Sequence, residues 1–183
     1  MTKPFGGTAA LLAAFLLAAP ACNKHQKSHV AETDTIEEAP RLASSLRMGD
    51  GTMARQLASG FYDIEAGAWR WTMQQFAVNL RAPAHSAQQG AILELHLTVP
   101  PPSIRKLGSI TLSAAIGGAT LAPETYSKAG EYTYRRDVPA NLLAGPAGEA
   151  VRIDFQLDKA IPPGDVDKRE LGIVASSVGL LPK

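Results

Sequence analysis

Three stretches of this chain alternate apolar and polar residues with a period of two. In F-A-V-N-L-R, Phe76, Val78 and Leu80 alternate with Ala77, Asn79 and Arg81. In A-I-L-E-L-H-L-T-V, Leu93, Leu95, Leu97 and Val99 alternate with Glu94, His96 and Thr98. In V-R-I-D-F-Q-L-D, Val151, Ile153, Phe155 and Leu157 alternate with Arg152, Asp154, Gln156 and Asp158. Successive side chains of a strand leave opposite faces, so this pattern fits half-buried antiparallel strands with one wet face and does not fit a helix.

Further strands are expected over 109–116, turning at Gly117-Gly118 into 119–121, over 131–136 with Tyr132 and Tyr134 on one side, and over 171–181. Pro83-Ala84-His85, Pro100-Pro101-Pro102, residues 141–148 and Pro162-Pro163-Gly164-Asp165 read as the turns between them. There is no internal repeat and no alternation of strands with helices. Seven or eight short strands at this spacing predict an all-β fold, an antiparallel β-sandwich of immunoglobulin-like or jelly-roll-like kind, over residues 60–183. A length of 183 residues allows one such domain plus ends. Acidic and basic residues nearly cancel, 17 against 18, so neither a nucleic-acid surface nor an acidic solvating tail is indicated.

The first 21 residues read as an export signal. Lys3 precedes an apolar run, A-A-L-L-A-A-F-L-L-A-A over 9–19, which has the length of a signal-peptide core and is short for a membrane span. Ala19-Pro20-Ala21-Cys22 follows, with two readings. Ala19-x-Ala21 suits ordinary signal peptidase. The same residues resemble the lipobox of bacterial lipoproteins, with Ala19 where that pattern usually has Leu. The resemblance implies cleavage before Cys22 and a diacylglycerol on its thiol. Cys22 is the sole cysteine of the chain, which rules out an internal disulfide and gives lipidation a reason. Two or three acyl chains suffice for stable membrane attachment. Asn23 stands where the inner-membrane retention signal of Gram-negative lipoproteins usually has Asp, which favours outer-membrane sorting by resemblance. Residues 22–59 are expected to be a flexible linker. Its first part, 23–40, is polar and poor in large apolar residues, and 41–60 carries transient helix broken at Gly49-Asp50-Gly51.

The segment G-F-Y-D-I-E-A-G-A-W-R-W-T, 60–72, holds both tryptophans. With the later Arg169-Glu170-Leu171-Gly172-Ile173 it resembles small bacterial β-sandwich domains that accompany some glycosyltransferases and occur in exported proteins. The shared pieces are Gly60-Phe61-Tyr62, Glu65, Arg70-Trp71-Thr72 and that late motif. The resemblance covers about two thirds of the chain. It implies the sandwich fold and an association with carbohydrate-related proteins, and supplies no activity and no binding residues.

Within 60–72, Trp71 is expected in the core, with Tyr62, Asp63 and Trp69 as a contact surface. A flat aromatic stacks on the apolar face of a sugar ring while nearby charges bond the hydroxyls. Arg70 is expected to pair with Glu65 or with Glu170, tying first and last strands together. Catalytic chemistry is weakly supported. Asp63 and Glu65 lie two residues apart in sequence with no cleft implied, His85 and His96 have no nucleophile nearby, and Asp165, Asp167 and Glu170 lack a calcium-loop spacing. No cofactor and no metal site is expected. The reading is a non-catalytic envelope module that binds a glycan or a partner protein. Its alternatives are a small carbohydrate-active enzyme using Asp63 or Glu65, and a purely structural lipoprotein.

Overall fold

The computed structural model describes residues 42–146 and 149–183. The expected leader, Cys22 and the first part of the linker lie outside the described residues. These residues hold ten strands: β1 Ser45–Arg47, β2 Leu57–Phe61, β3 Arg70–Arg81, β4 Ala91–Val99, β5 Ile110–Ile116, β6 Ala119–Thr120, β7 Glu124–Tyr126, β8 Gly130–Val138, β9 Ala150–Leu157 and β10 Val174–Pro182. Two short α-helices, α1 Ser86–Gln89 and α2 Pro101–Leu107, and two 3-10 turns, Gly51–Gln56 and Ala140–Leu143, join them.

Every strand pairing is antiparallel, as the alternation requires. One layer runs β1, β10, β4, β8. The other runs β2, β3, β9, β5, with β6 and β7 attached to β5. β3 belongs to both. Its first residues, Arg70 and Trp71, pair with Ala175 and Val174 of β10, and residues 75–81 pair with β9. The two layers close on a single core. Phe76, Val78, Leu80, Ile153, Phe155 and Leu157 of one layer meet Leu93, Leu95, Leu97 and Val99 of the other, all nearly or wholly buried. Phe76 stacks on Phe155 at 4.8 Å and meets Phe61 edge-on at 5.4 Å.

The fold is therefore the expected all-β antiparallel sandwich, with short strands beyond the seven or eight foreseen. Pro100-Pro101-Pro102 does not form a simple turn. It opens α2, because proline at the first helical positions presets φ and removes a donor that has no helical partner there.

Two expectations are corrected here. The domain does not start at Gly60, because residues 42–59 belong to the sandwich. Leu46 and Met48 are each 1% exposed, and β1 pairs with β10. Gln56 is buried as well. Its amide oxygen accepts from Ala43 N (2.9 Å), and its nitrogen donates to the carbonyls of Ala43 (3.0 Å) and Asn79 (2.7 Å). β1 spans three residues, too few for a period of two to show beside Gly49-Asp50-Gly51.

Trp71 does not lie in the core. Arg70 and Thr72 are the buried neighbours, at 8% and 0% exposure, and Trp71 is half-buried on the opposite face. The even-numbered inward phase of Phe76, Val78 and Leu80 extends back to Thr72 and Arg70, and this turns both tryptophans outward.

Candidate functional site

Sheet register brings the outward side chains of the β1–β10–β4–β8 layer into cross-strand rows. Trp71 lies beside Val174, then Thr98, then Glu131. The next row is Arg47, Ser177, His96 and Thr133. Beyond it come Ser45, Gly179, Glu94 and Arg135. A β-bulge between Ala175 and Ser177 adds an exposed Ser176 at the centre of this surface.

The tryptophans form one wall. Trp69 and Trp71 lie two residues apart on the same face, with ring centroids 6.5 Å apart and planes at 81°. A cleft of about 380 Å³ opens beside Trp69, floored by Thr98, Val174 and Ser176 and bounded by His96, Glu131 and Thr133. A second cleft, of about 730 Å³, lies between Arg47, Asp50, the 67–68 hairpin tip and Ser176–Ser177.

Hydrogen bonds fix the polar groups of this face. His96 Nε2 lies 2.9 Å from Glu94 Oε1, and His96 Nδ1 lies 3.2 Å from Thr133 Oγ1. Arg135 pairs with the other Glu94 oxygen. The hydrogen bond with His96, helped by that from Arg135, holds the Glu94 carboxyl below its ordinary range against the opposing effect of desolvation.

The expected site residues divide between two places. Trp69 stands at the cleft. Tyr62 does not line either cleft on this face; its ring lies under the Arg169 guanidinium, 5.1 Å from its centroid, and Asp63 is exposed. The ion pairs expected for Arg70 are absent among the described residues. Arg70 Nε donates to the Met48 carbonyl (3.1 Å), and its Nη1 donates to the Tyr62 carbonyl (2.8 Å). Glu65 instead accepts from Arg169 Nη1 at 2.7 Å, and Arg169 also donates to Asp167 at 2.9 Å. Glu170 accepts from the backbone N–H of Gln74 at 2.7 Å. Charge complementarity alone left the choice among nearby arginines and amides open. Burial decided it, because Arg70 sits among carbonyls that need donors.

The two separated motifs meet in space. Gly172 N donates to Thr72 O (2.8 Å), Thr72 N to Ile173 O (2.9 Å), and Ile173 N to Thr72 Oγ1 (3.2 Å). A Cβ on Gly172 would lie 2.7 Å from Leu157 Cδ1, Met73 O and Thr72 Oγ1. Motif residues 60–72 and 169–173 thus fasten the β2–β3 hairpin and hold Trp69 and Trp71 at the rim of the groove.

His96, Thr98, Glu131, Thr133 and Ser176 were not singled out as site residues. Their signal is the polar half of the alternation, but only the register of β4, β8 and β10 shows that they converge. Among the described residues no group of three His, Cys, Asp or Glu side chains is placed to hold a metal ion.

No protein-family model matches the chain, and no curated protein matches it in sequence. Among solved structures it is similar to TmCBM27, a carbohydrate-binding module studied for specific mannan recognition. The two share 13% identity at a TM-score of 0.44, over 76% of this chain and 95% of the other.

Proposed function

We propose that this chain is a non-catalytic glycan-binding module, exported and held at a bacterial envelope by a lipid on Cys22. The observation that carries the binding reading is the outward Trp69–Trp71 pair beside a groove of hydroxyl and imidazole groups. Sugar recognition combines an apolar ring face with a few fixed polar partners, and this groove offers both. The envelope reading rests on the apolar leader and the lipobox-like residues ending at Cys22.

The enzyme alternative is less well supported. Glu65 is engaged by Arg169, and Asp63 stands exposed on the hairpin and lines neither cleft of this face. The purely structural alternative predicts buried, inert tryptophans, whereas both are partly exposed.

Tryptophan emission of the 42–183 domain, titrated with a panel of neutral and acidic glycans, tests the binding reading. A saturable shift or quench that Trp69→Ala removes supports it. Emission unmoved by every glycan sinks it, and capture of an envelope protein with no glycan response would move the reading to a protein-binding module. Incorporation of labelled palmitate by the full chain, lost in Cys22→Ala, tests the anchor. No incorporation in the wild type returns Cys22 to the residue after an ordinary cleavage site.

A further inference from the structure

Building on the glycan-binding reading, we infer that the ligand is a neutral linear oligosaccharide of several linked sugars. It lies across the strands from the tryptophan cleft to a second subsite formed by Arg47, Ser177 and the 67–68 hairpin tip. The clefts share Ser176, so they are two parts of one surface. The row Arg47–Ser177–His96–Thr133 crosses four adjacent strands, from β1 at one margin to β8 at the other. Three inter-strand spacings make that row about 14 Å long. A single sugar stacked on Trp69 over Val174 and Thr98 would leave the Arg47 end unused.

The polarity of the row indicates the class of ligand. The hydroxyls along this surface, on Ser177 and Thr133 of the row and on Ser176 and Thr98 beside it, suit a polyol. In the neighbouring row the Glu94 carboxylate is paired with Arg135 and hydrogen-bonded with His96. Arg47 is exposed, faces outward because Leu46 faces the core, and has no carboxylate partner among the described residues. Its guanidinium brings several donors to a ligand hydroxyl at the far end of the row. Glu131, at the opposite end, opposes a polyanion.

Calorimetry on the 42–183 domain, with cello-, xylo-, manno- and chito-oligosaccharides from the monosaccharide to the hexasaccharide, tests this. Affinity for the recognised series should rise about tenfold or more between disaccharide and tetrasaccharide. The double variant Arg47→Ala, Ser177→Ala should cancel that rise and leave disaccharide affinity within about twofold. Its melting temperature should stay near that of the wild type, because both side chains face solvent. Affinity independent of chain length, or a tetrasaccharide affinity unchanged in the double variant, overturns the second subsite while leaving the tryptophan cleft in place. Tighter binding of a uronic-acid oligomer than of every neutral series overturns the neutral class. Absence of binding by all series, with Trp69→Ala indistinguishable from wild type, removes the glycan reading and this inference with it.

Discussion

Arg70 is 8% exposed, and its guanidinium spans the carbonyls of Met48 and Tyr62, which belong to different segments. Truncation leaves both carbonyls short of a donor in a water-poor position, and such losses cost about 2–3 kcal/mol when the donor is charged. Arg70→Ala should therefore lower the urea-unfolding free energy by about that amount. Arg70→Lys should recover part of it, because an ammonium cannot reproduce the planar fork.

Glu94 offers a test by pH. Its carboxyl is held below the ordinary 4.5 by the hydrogen bond with His96, and by Arg135 after that. A folded pKa below the unfolded one contributes stability that is complete above 4.5 and disappears as pH falls through the lowered folded value. Melting curves of wild type and Glu94→Gln should thus run at a constant offset above pH 4.5 and converge on further acidification. An offset that persists to the lowest pH would show that the ionised carboxylate is not its source.

At the scale of elements, the β2–β3 hairpin is sensitive to substitution at its first glycine. Gly60 has φ +76°, and a Cβ there would overlap the Gln75 carbonyl oxygen and crowd Phe76. Gly60→Ala is expected to destabilise by more than about 1 kcal/mol, because strain and steric overlap act together. Gly67→Ala, at φ +66° with nothing within 4 Å of the added atom, is expected to cost less. The Gly60 variant should therefore melt below the Gly67 variant.

Part of the hairpin's behaviour was legible in the residues, since the late R-E-L-G-I motif does meet the first one. The side of Trp71 was misjudged: the inward phase of Phe76, Val78 and Leu80, counted back to residue 70, turns it outward and not into the core. The partners of Arg70 were not legible. A buried carbonyl leaves no trace in side-chain sequence, whereas Glu65 and Glu170 are conspicuous and turned out to serve Arg169 and the Gln74 amide. β1 was hidden for a related reason. Leu46 and Met48 are a single inward pair, and one pair is not a period. A chain truncated at Gly60 loses both, together with Gln56, and is expected to show no cooperative melt, whereas the 42–183 domain should show one.

For the whole molecule, the sandwich was readable because long alternating strands repeat one signal many times. The groove was not, because it arises from register among β10, β4 and β8, strands far apart in sequence. That same register sets how the domain would respond to force. The chain enters at Ala43 and Ser44, whose carbonyls accept from Arg81 N and Leu180 N, beside the last residues of β3 and β10. Trp71 is the second residue of β3, with Trp69 just before the strand, and Val174 is the first of β10. With the proposed N-terminal anchor and a ligand in the groove, tension would run along the strands. β1 would be pulled lengthwise against β10, with its ladder bonds perpendicular to the load and stressed together. Peeling, which breaks one bond at a time, would require a pull across the sheet. Were the chain anchored through its N-terminus as proposed, β1 would be the strand loaded in shear.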